Sequence, residues 1–141
     1  MNNELKTITI LFRATDYIRS YIQKDVQRYG LNATEFGVLE VLYHKGPQPV
    51  HLIKSKVLIA NSSLSYVIDT LIQKGLIQKE KDPQDRRNHI CELTDQGKAL
   101  FDESYPRHVV QLRSVLNILT PDEERQLQFL LKKLGKQGSP L

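Results

Sequence analysis

Residues 81–97 read KDPQDRRNHICELTDQG and contain the strongest indication of how this 141-residue chain folds. In the first half, two aspartates precede Arg86 and Arg87, a composition typical of an exposed turn. The second half, HICEL, is a short β-prone segment, and a similar segment, LIQKE, lies just before it at 76–80. Two such runs around a polar turn predict a β-hairpin with both arginines in its loop.

Long helices are predicted before this hairpin. Apolar residues at helical spacing cover 6–29, and Gly30 is typical of a helix C-terminus. Asn32 with Glu35 three residues later forms a capping-box pattern, which predicts the start of a second helix. Gly46, followed by a proline, predicts its end.

Two shorter helices are predicted between Gly46 and the hairpin. The first covers 48–59, with Pro49 near its first turn, where proline is tolerated. The second covers 61–75 and is expected to have Asn61 or Ser62 as its cap. Its predicted buried face consists of Leu64, Val67, Ile68, Leu71 and Ile72.

Two further helices are predicted after the hairpin. Thr94 is the expected cap of a long helix that runs to about Leu119, and Pro106 inside it should produce a kink. Thr120 opens a second capping box, which predicts a last helix that ends near Gly135.

This order of elements predicts a mainly α protein with a small β-hairpin. The helices and hairpin of 31–94 correspond to a winged helix-turn-helix. The flanking segments, 1–30 and 95–141, carry apolar stripes that need a partner. A second copy is the simplest partner, so we interpret them as dimerisation helices that form a single intertwined domain with 31–94.

The bulk composition excludes few classes of protein. The net charge of +4 only mildly favours polyanionic partners. The single cysteine excludes an internal disulfide and is compatible with the reducing cytoplasm. The sequence has no apolar run of membrane-spanning length and no recognisable signal peptide, so we expect a cytoplasmic protein without a membrane partner.

Nothing in the sequence predicts catalysis, a metal site or a cofactor. The four histidines have no second ligand at a spacing typical of metal sites. They are His44, His51, His89 and His108. No nucleophile–base constellation or glycine-rich phosphate loop is present, so we expect no enzymatic activity.

Two segments resemble the MarR family of bacterial transcription regulators. Residues 82–101, DPQDRRNHICELTDQGKALF, are similar to the wing of that family, in which Asp-x-Arg-Asp-x-Arg precedes Leu-Thr-x-x-Gly. Residues 61–80, NSSLSYVIDTLIQKGLIQKE, resemble its recognition helix and first wing strand. One departure is Gln84, where the family usually has arginine.

The resemblance implies a homodimer that grips a pseudo-palindromic operator in double-stranded DNA. Arg87 matches the wing arginine that enters the minor groove, where narrow grooves concentrate negative potential. Asp85 matches the acid that orients this arginine, and Arg86 is a candidate phosphate contact. The alternative interpretation of the same segment is a solubilising turn.

The first turns of the predicted recognition helix are expected to read bases in the major groove. The candidates are Ser62, Ser63, Ser65 and Tyr66. None is an arginine or lysine, so we expect readout by hydroxyl groups, thymine methyl contacts, water and DNA shape. The alternative is that the serines only cap the helix.

An effector pocket between the dimer helices and the winged region is a further implication of the resemblance. Residues that could line it are Phe12, Arg13, Tyr17, Tyr21, Phe36, Tyr43, His44 and Tyr105. Aromatic residues at this spacing are also typical of an ordinary core. The segment SYVIDTL resembles a branch of the family that responds to quinones and related electrophiles.

We therefore predict a homodimeric repressor that a small aromatic or phenolic ligand releases from DNA. One alternative is a redox-responsive regulator switched through Cys91, although Cys91 shares a strand face with Leu93 and is expected to be a small apolar filler. Another alternative is a winged helix used for protein interaction without a role on DNA.

Overall fold

A computed structural model describes residues 3–57 and 63–136 of the chain. This part contains six α-helices and a three-stranded sheet, preceded by a 3-10 turn at Asn3–Leu5. The elements are α1 Lys6–Gln27, α2 Ala33–Lys45, β1 Gln48–Pro49, α3 Val50–Lys56, α4 Leu64–Gln73, β2 Ile77–Lys81, β3 His89–Leu93, α5 Asp95–Leu116 and α6 Pro121–Gly135. The predicted mainly α class with a winged helix-turn-helix is confirmed.

Both predicted capping boxes are present. Asn32 Oδ1 accepts a hydrogen bond of 2.8 Å from Glu35 N, and Glu35 Oε1 accepts one of 2.9 Å from Asn32 N. Thr120 and Glu123 make the same reciprocal pair at the start of α6. Each box satisfies backbone N–H groups that have no partner inside the helix, which sets where these two helices begin.

The predicted hairpin is confirmed, and a third strand is added to it. Strands β2 and β3 pair antiparallel from Ile77 opposite Leu93 to Lys81 opposite His89. The short β1 pairs with the other edge of β3, so the order across the sheet is β1-β3-β2. Because β1 contains only Gln48–Pro49, it has no periodicity from which it could have been predicted.

Several helix ends differ from those expected. Helix α4 begins at Leu64 with Ser63 as its N-cap, without a side-chain cap bond, and the expected caps at 61–62 lie outside the described residues. Helix α5 ends at Leu116, because the chain turns at Asn117 before the capping box of α6. Pro106 lies inside α5, which continues beyond it.

The core is formed by one face of each helix of the winged region, the inner side of the sheet and the start of α5. Its largest fully buried side chains include Leu39, Ile53, Ile68, Leu71 and Phe101. Cys91 is 0% exposed and packs in this core, which confirms the expected apolar filler.

The Leu-Thr-x-x-Gly segment joins the sheet to α5. Thr94 Oγ1 accepts a hydrogen bond from Gly97 N at 3.0 Å and donates one to the Gly75 carbonyl at 2.6 Å. Gly97 is buried, and a Cβ there would lie 2.0 Å from the Leu76 carbonyl oxygen. Only glycine allows this close approach, so the motif fixes where α5 leaves the winged region.

The outer helices leave apolar surface uncovered. Every residue of α6 is at least partly exposed, although its sequence is amphipathic. The exposed large apolar side chains on α1 and α6 include Ile8, Ile10, Phe12, Leu127, Phe129, Leu130, Leu131 and Leu134. Among the described residues, no helix combines the length and apolar character that crossing a membrane requires.

Candidate nucleic-acid interface

The loop between β2 and β3 holds an arginine in a fixed position. Arg87 donates to Asp85 from its backbone N at 3.1 Å, from Nε at 3.2 Å and from Nη2 at 3.4 Å. The Arg87 side chain is nevertheless 90% exposed. The hydrogen bonds from Arg87 also hold the pKa of the Asp85 carboxyl below its usual value. The structure therefore confirms the predicted contact and presents a charged guanidinium to solvent.

The rest of the loop fixes the carboxylate of Asp85. Asn88 Nδ2 donates to Asp85 Oδ2 at 3.3 Å, and Asn88 N donates to the Asp85 carbonyl at 2.9 Å. Gln84 N donates to Asp82 Oδ1 at 2.9 Å, and Asp82 N donates to the Asn88 carbonyl at 3.0 Å. A loop with this many internal hydrogen bonds loses little further freedom when its tip meets a partner. Arg86 is exposed beside Arg87.

Helix α4 presents a small polar face next to this wing. Of its predicted buried face, Val67, Ile68 and Leu71 are buried, whereas Leu64 and Ile72 are half-buried. Ser63 and Ser65 are exposed, and the Tyr66 side chain is among the most exposed apolar groups of the chain at 70%. Ser62 lies outside the described residues.

One ionic contact joins α4 to the wing. Asp69 Oδ1 lies 3.9 Å from Lys79 Nζ, so the carboxylate on α4 pairs with the ammonium group of a lysine on β2. Both side chains are exposed or half-exposed, and such a pair adds little stability. Its effect is to reduce the negative charge that the exposed face of α4 would carry toward phosphates.

Two groups near the wing were not predicted from the sequence. Asn88 orients Asp85 from within the loop, and its position directly after the two arginines is the signal that could have indicated it. His51, exposed on α3, acts electrostatically on Asp85 and contributes to the lowered pKa of that carboxyl. An electrostatic effect of α3 on the wing depends on tertiary structure, so the sequence carries no local signal for it.

The residues proposed for an effector pocket fall into two groups. Phe12, Arg13 and Tyr17 are exposed on α1. Tyr21 is half-buried between helices and donates to Gln111 Oε1 on α5 at 3.1 Å. Within one copy of the chain, these residues do not meet the rest of the set.

The second group forms an aromatic cluster between α2 and α5. Phe101 is its centre, with ring centroids 4.8 Å from Phe36 and 4.9 Å from Tyr43. The Tyr105 ring lies 5.4 Å from Phe101 and 4.8 Å from the His44 imidazole. Phe36 is only 3% exposed and is a core residue, which agrees with the alternative interpretation for that position.

An open cleft adjoins this cluster. Its volume is about 450 Å³, and its lining residues are Leu42, Tyr43, Gly46, Pro47, Glu92, Leu93 and Lys98. The Tyr43 hydroxyl donates to Asp102 Oδ1 at 2.5 Å, and this hydrogen bond raises the pKa of Tyr43 and lowers that of Asp102. The cleft therefore has both an apolar wall and polar groups. The described residues contain no group of His, Cys, Asp or Glu side chains arranged to hold a metal.

Three comparisons with known proteins agree with this geometry. The MarR family profile matches residues 31–89. The HTH-type transcriptional regulator MhqR of Bacillus subtilis (strain 168) is 37% identical over 131 residues, which cover 93% of this chain and 90% of that protein. Sco3205, a MarR family regulator from Streptomyces coelicolor solved in complex with DNA, superimposes with a TM-score of 0.87 at 22% identity, covering 99% of this chain and 94% of that one.

A further solved structure concerns BpsR of Bordetella bronchiseptica and the regulation of its DNA binding by 6-hydroxynicotinic acid. It has a TM-score of 0.83 and 26% identity, covering 96% of each chain. Because the relatives that match nearly the whole chain are transcription regulators, this wing and exposed α4 belong to a DNA-binding transcription regulator rather than an enzyme. The chain belongs to the MarR family.

Proposed function

We propose that this regulator is a homodimeric repressor that a small aromatic or phenolic ligand releases from a pseudo-palindromic operator. The observation that carries the DNA-binding part is the Arg87 guanidinium, which Asp85 orients while the side chain stays 90% exposed at the hairpin tip. A guanidinium whose direction is already set is suited to insertion into a narrow minor groove.

The other DNA contacts follow from the placement of the wing and α4. Arg86, exposed beside Arg87, contacts a phosphate. Ser65 and Tyr66 on α4, its N-cap Ser63 and the preceding Ser62 read base edges and groove shape in the major groove. The phosphate contacts position the protein, whereas the groove contacts carry the sequence information.

The uncovered apolar side chains of α1 and α6 support the homodimer. Two recognition helices that enter successive major grooves must lie about 34–36 Å apart, so the outer helices determine which DNA the dimer fits. Large exposed apolar side chains of this kind, carried on two helices, are typical of an interface. In this arrangement, 1–30 and 95–141 are the dimerisation segments, and Pro106 in α5 helps to set the spacing.

The effector part rests on the cleft beside Tyr43 and on the exposed aromatic residues of α1. Phe12, Arg13 and Tyr17 would complete a pocket only when α1 of a second copy lies near Tyr43 and Tyr105. A ligand bound there releases DNA by favouring a spacing of the recognition helices that the operator does not fit. It shifts this equilibrium only by its differential affinity for the two arrangements.

A titration of the preformed complex tests this function. Fluorescence anisotropy of the labelled promoter duplex would be followed while 6-hydroxynicotinic acid, salicylate or hydroquinone is added, with cyclohexanecarboxylate as the non-aromatic control. We expect at least one aromatic probe to release the duplex and the control to leave it bound. If the chain binds its promoter specifically and no aromatic probe weakens this binding, the proposed ligand response is wrong, whereas the proposed repressor function stands.

A further inference from the structure

A buried polar contact joins α1 to α5. Asp25, near the end of α1, is 3% exposed, and His108, in the second half of α5, is 6% exposed. His108 Nδ1 lies 2.7 Å from Asp25 Oδ2, and Asp25 Oδ1 accepts a hydrogen bond of 2.8 Å from Arg28 Nη2. Each carboxylate oxygen therefore has a partner, one of which comes from a helix 83 residues away in sequence.

An ion pair with one buried partner joins the start of α2 to the end of α4. Glu35 is 4% exposed, and its Oε2 lies 2.7 Å from Lys74 Nζ. Lys74, the C-cap residue of α4, also donates to the Gly30 carbonyl at 3.2 Å. The end of the helix that reads DNA is therefore held to the turn between α1 and α2.

Phe36 connects these two contacts. It follows Glu35 in α2 and is 3% exposed. Its ring centroid lies 4.5 Å from the His108 imidazole. Direct contacts therefore run from α1 and α5 to the end of α4. We refer to these residues as the junction: Asp25, His108, Phe36, Glu35 and Lys74.

We propose that Asp25, His108, Glu35 and Lys74 are positioning residues for DNA binding, which hold α4 in a fixed place on the scaffold of α1 and α5. This inference rests on the proposed function, in which the placement of α4 decides whether the operator fits.

Stability alone does not require such contacts. Apolar side chains of similar volume are often at least as stabilising as a buried ion pair. A short charge-assisted hydrogen bond fixes both the separation and the orientation of the two groups, whereas an apolar contact tolerates small rearrangements. The junction thus restricts how α4 can move relative to the outer helices.

The test replaces the contact between Asp25 and His108 by apolar packing in the full-length chain. The double variant Asp25→Leu/His108→Leu should fold and keep the native oligomeric state, yet bind the promoter duplex about tenfold more weakly than the native chain. His108→Asn retains an amide donor near the position of Nδ1 and should stay within about twofold of native affinity. The matched control Glu103→Ala/Arg107→Ala removes an exposed ion pair of 3.7 Å from the same helix and should bind as the native chain does.

A distance measurement reads the position of α4 without DNA. Spin labels would be attached at Gln73→Cys in α4 and Arg19→Cys in α1, two exposed positions. The distance between the labels would be compared in the native and double-leucine backgrounds. Labelled chains would be diluted with unlabelled ones, so that only distances within one chain are measured. Cys91 is fully buried and does not compete for the label. We expect a broader distance distribution in the double-leucine background and a native distribution with His108→Asn.

Native affinity or an unchanged distance distribution in a folded double-leucine variant would overturn the proposal. If that variant does not fold, Lys74→Met replaces it, because the Lys74 side chain is 38% exposed and methionine has no donor for Glu35. The same loss of affinity is expected for Lys74→Met, and native affinity would again overturn the proposal. If the native chain does not prefer its own promoter over a scrambled duplex, the proposed function is wrong. The distance distributions alone would then test whether the junction positions α4.

Discussion

Asp85 holds Arg87 by three hydrogen bonds of 3.1–3.4 Å from the backbone N, Nε and Nη2 of the arginine, while the guanidinium stays almost fully exposed. An exposed arginine normally samples many rotamers, and ordering it on binding costs free energy. In this wing the hydrogen bonds to Asp85 already give the guanidinium one orientation in the folded chain. We therefore expect the function of the wing to depend on both residues.

The first prediction compares the two neighbouring arginines. Arg87→Ala should weaken promoter binding by about 1–3 kcal/mol and reduce the preference for the promoter over a scrambled duplex, because a groove contact is lost. Arg86→Ala should weaken binding to both duplexes similarly and lower the salt dependence, as the loss of a phosphate contact does. Anisotropy titrations at several salt concentrations measure both effects. Equal behaviour of the two variants would contradict the assignment of Arg87 to the minor groove.

The second prediction concerns pH. Because Arg87 lowers the pKa of Asp85 in the folded chain, the contact is fully present above the usual carboxyl range and is lost only as pH falls through the lowered value. The titration of Asp85 should therefore add no pH dependence to DNA affinity between about pH 5 and 8. Carboxyl NMR titration should find the Asp85 pKa higher in Arg87→Ala than in the native chain. The same Asp85 pKa in both chains would mean that the contact does not persist in solution.

The third prediction concerns the joint between the sheet and α5. Gly97→Ala should destabilise the fold by about 3 kcal/mol or more, because the new methyl group would overlap the Leu76 carbonyl oxygen. Gly135→Ala, at the end of α6, is the matched control, since its Cβ would meet no atom within 4 Å. Urea unfolding measures both. A native midpoint for Gly97→Ala would show that the close approach is absent in solution.

The fourth prediction concerns Cys91. Burial raises the pKa of this thiol, so it is protonated and shielded at neutral pH. A thiol reagent should react with it only as fast as the chain unfolds, and peroxide should leave promoter binding unchanged. Rapid labelling of the folded chain, or peroxide release that Cys91→Ser abolishes, would support the redox alternative.

The fifth prediction concerns the apolar face of α6. Leu130 is 58% exposed in a single chain, and Leu130→Asp should shift the protein from dimer to monomer by placing a charge in the interface. Gln128→Asp puts the same side chain on the same helix at a polar position and should leave the dimer intact. Sedimentation velocity distinguishes the two. A dimer of native stability in Leu130→Asp would place the interface elsewhere.

The elements of this fold that the sequence predicts are those with local signals. Two capping boxes, the turn glycines and the polar turn between two β-prone segments marked most boundaries within a few residues. The Asp85–Arg87 contact could also be predicted from the sequence, because the two residues are neighbours in one loop. The resemblance to the wing of the MarR family implies the same contact.

What the sequence could not predict depends on contacts between distant segments. Asp25 and His108 are 83 residues apart, and each residue alone is an ordinary helix position. The strand β1 exists because β3 offers it an edge, not because its two residues favour a strand. The aromatic residues proposed for the pocket could not be divided into core and surface from spacing alone, and Phe36 belongs to the core.

The most direct test of the central claim is fluorescence anisotropy of the purified chain with a duplex from its own promoter and a scrambled duplex, each at two salt concentrations. The account predicts tight binding to the promoter duplex, weaker binding to the scrambled one, and loss of affinity for both as salt rises. Equal affinity for the two duplexes under all conditions would contradict sequence-specific recognition by α4 and the wing.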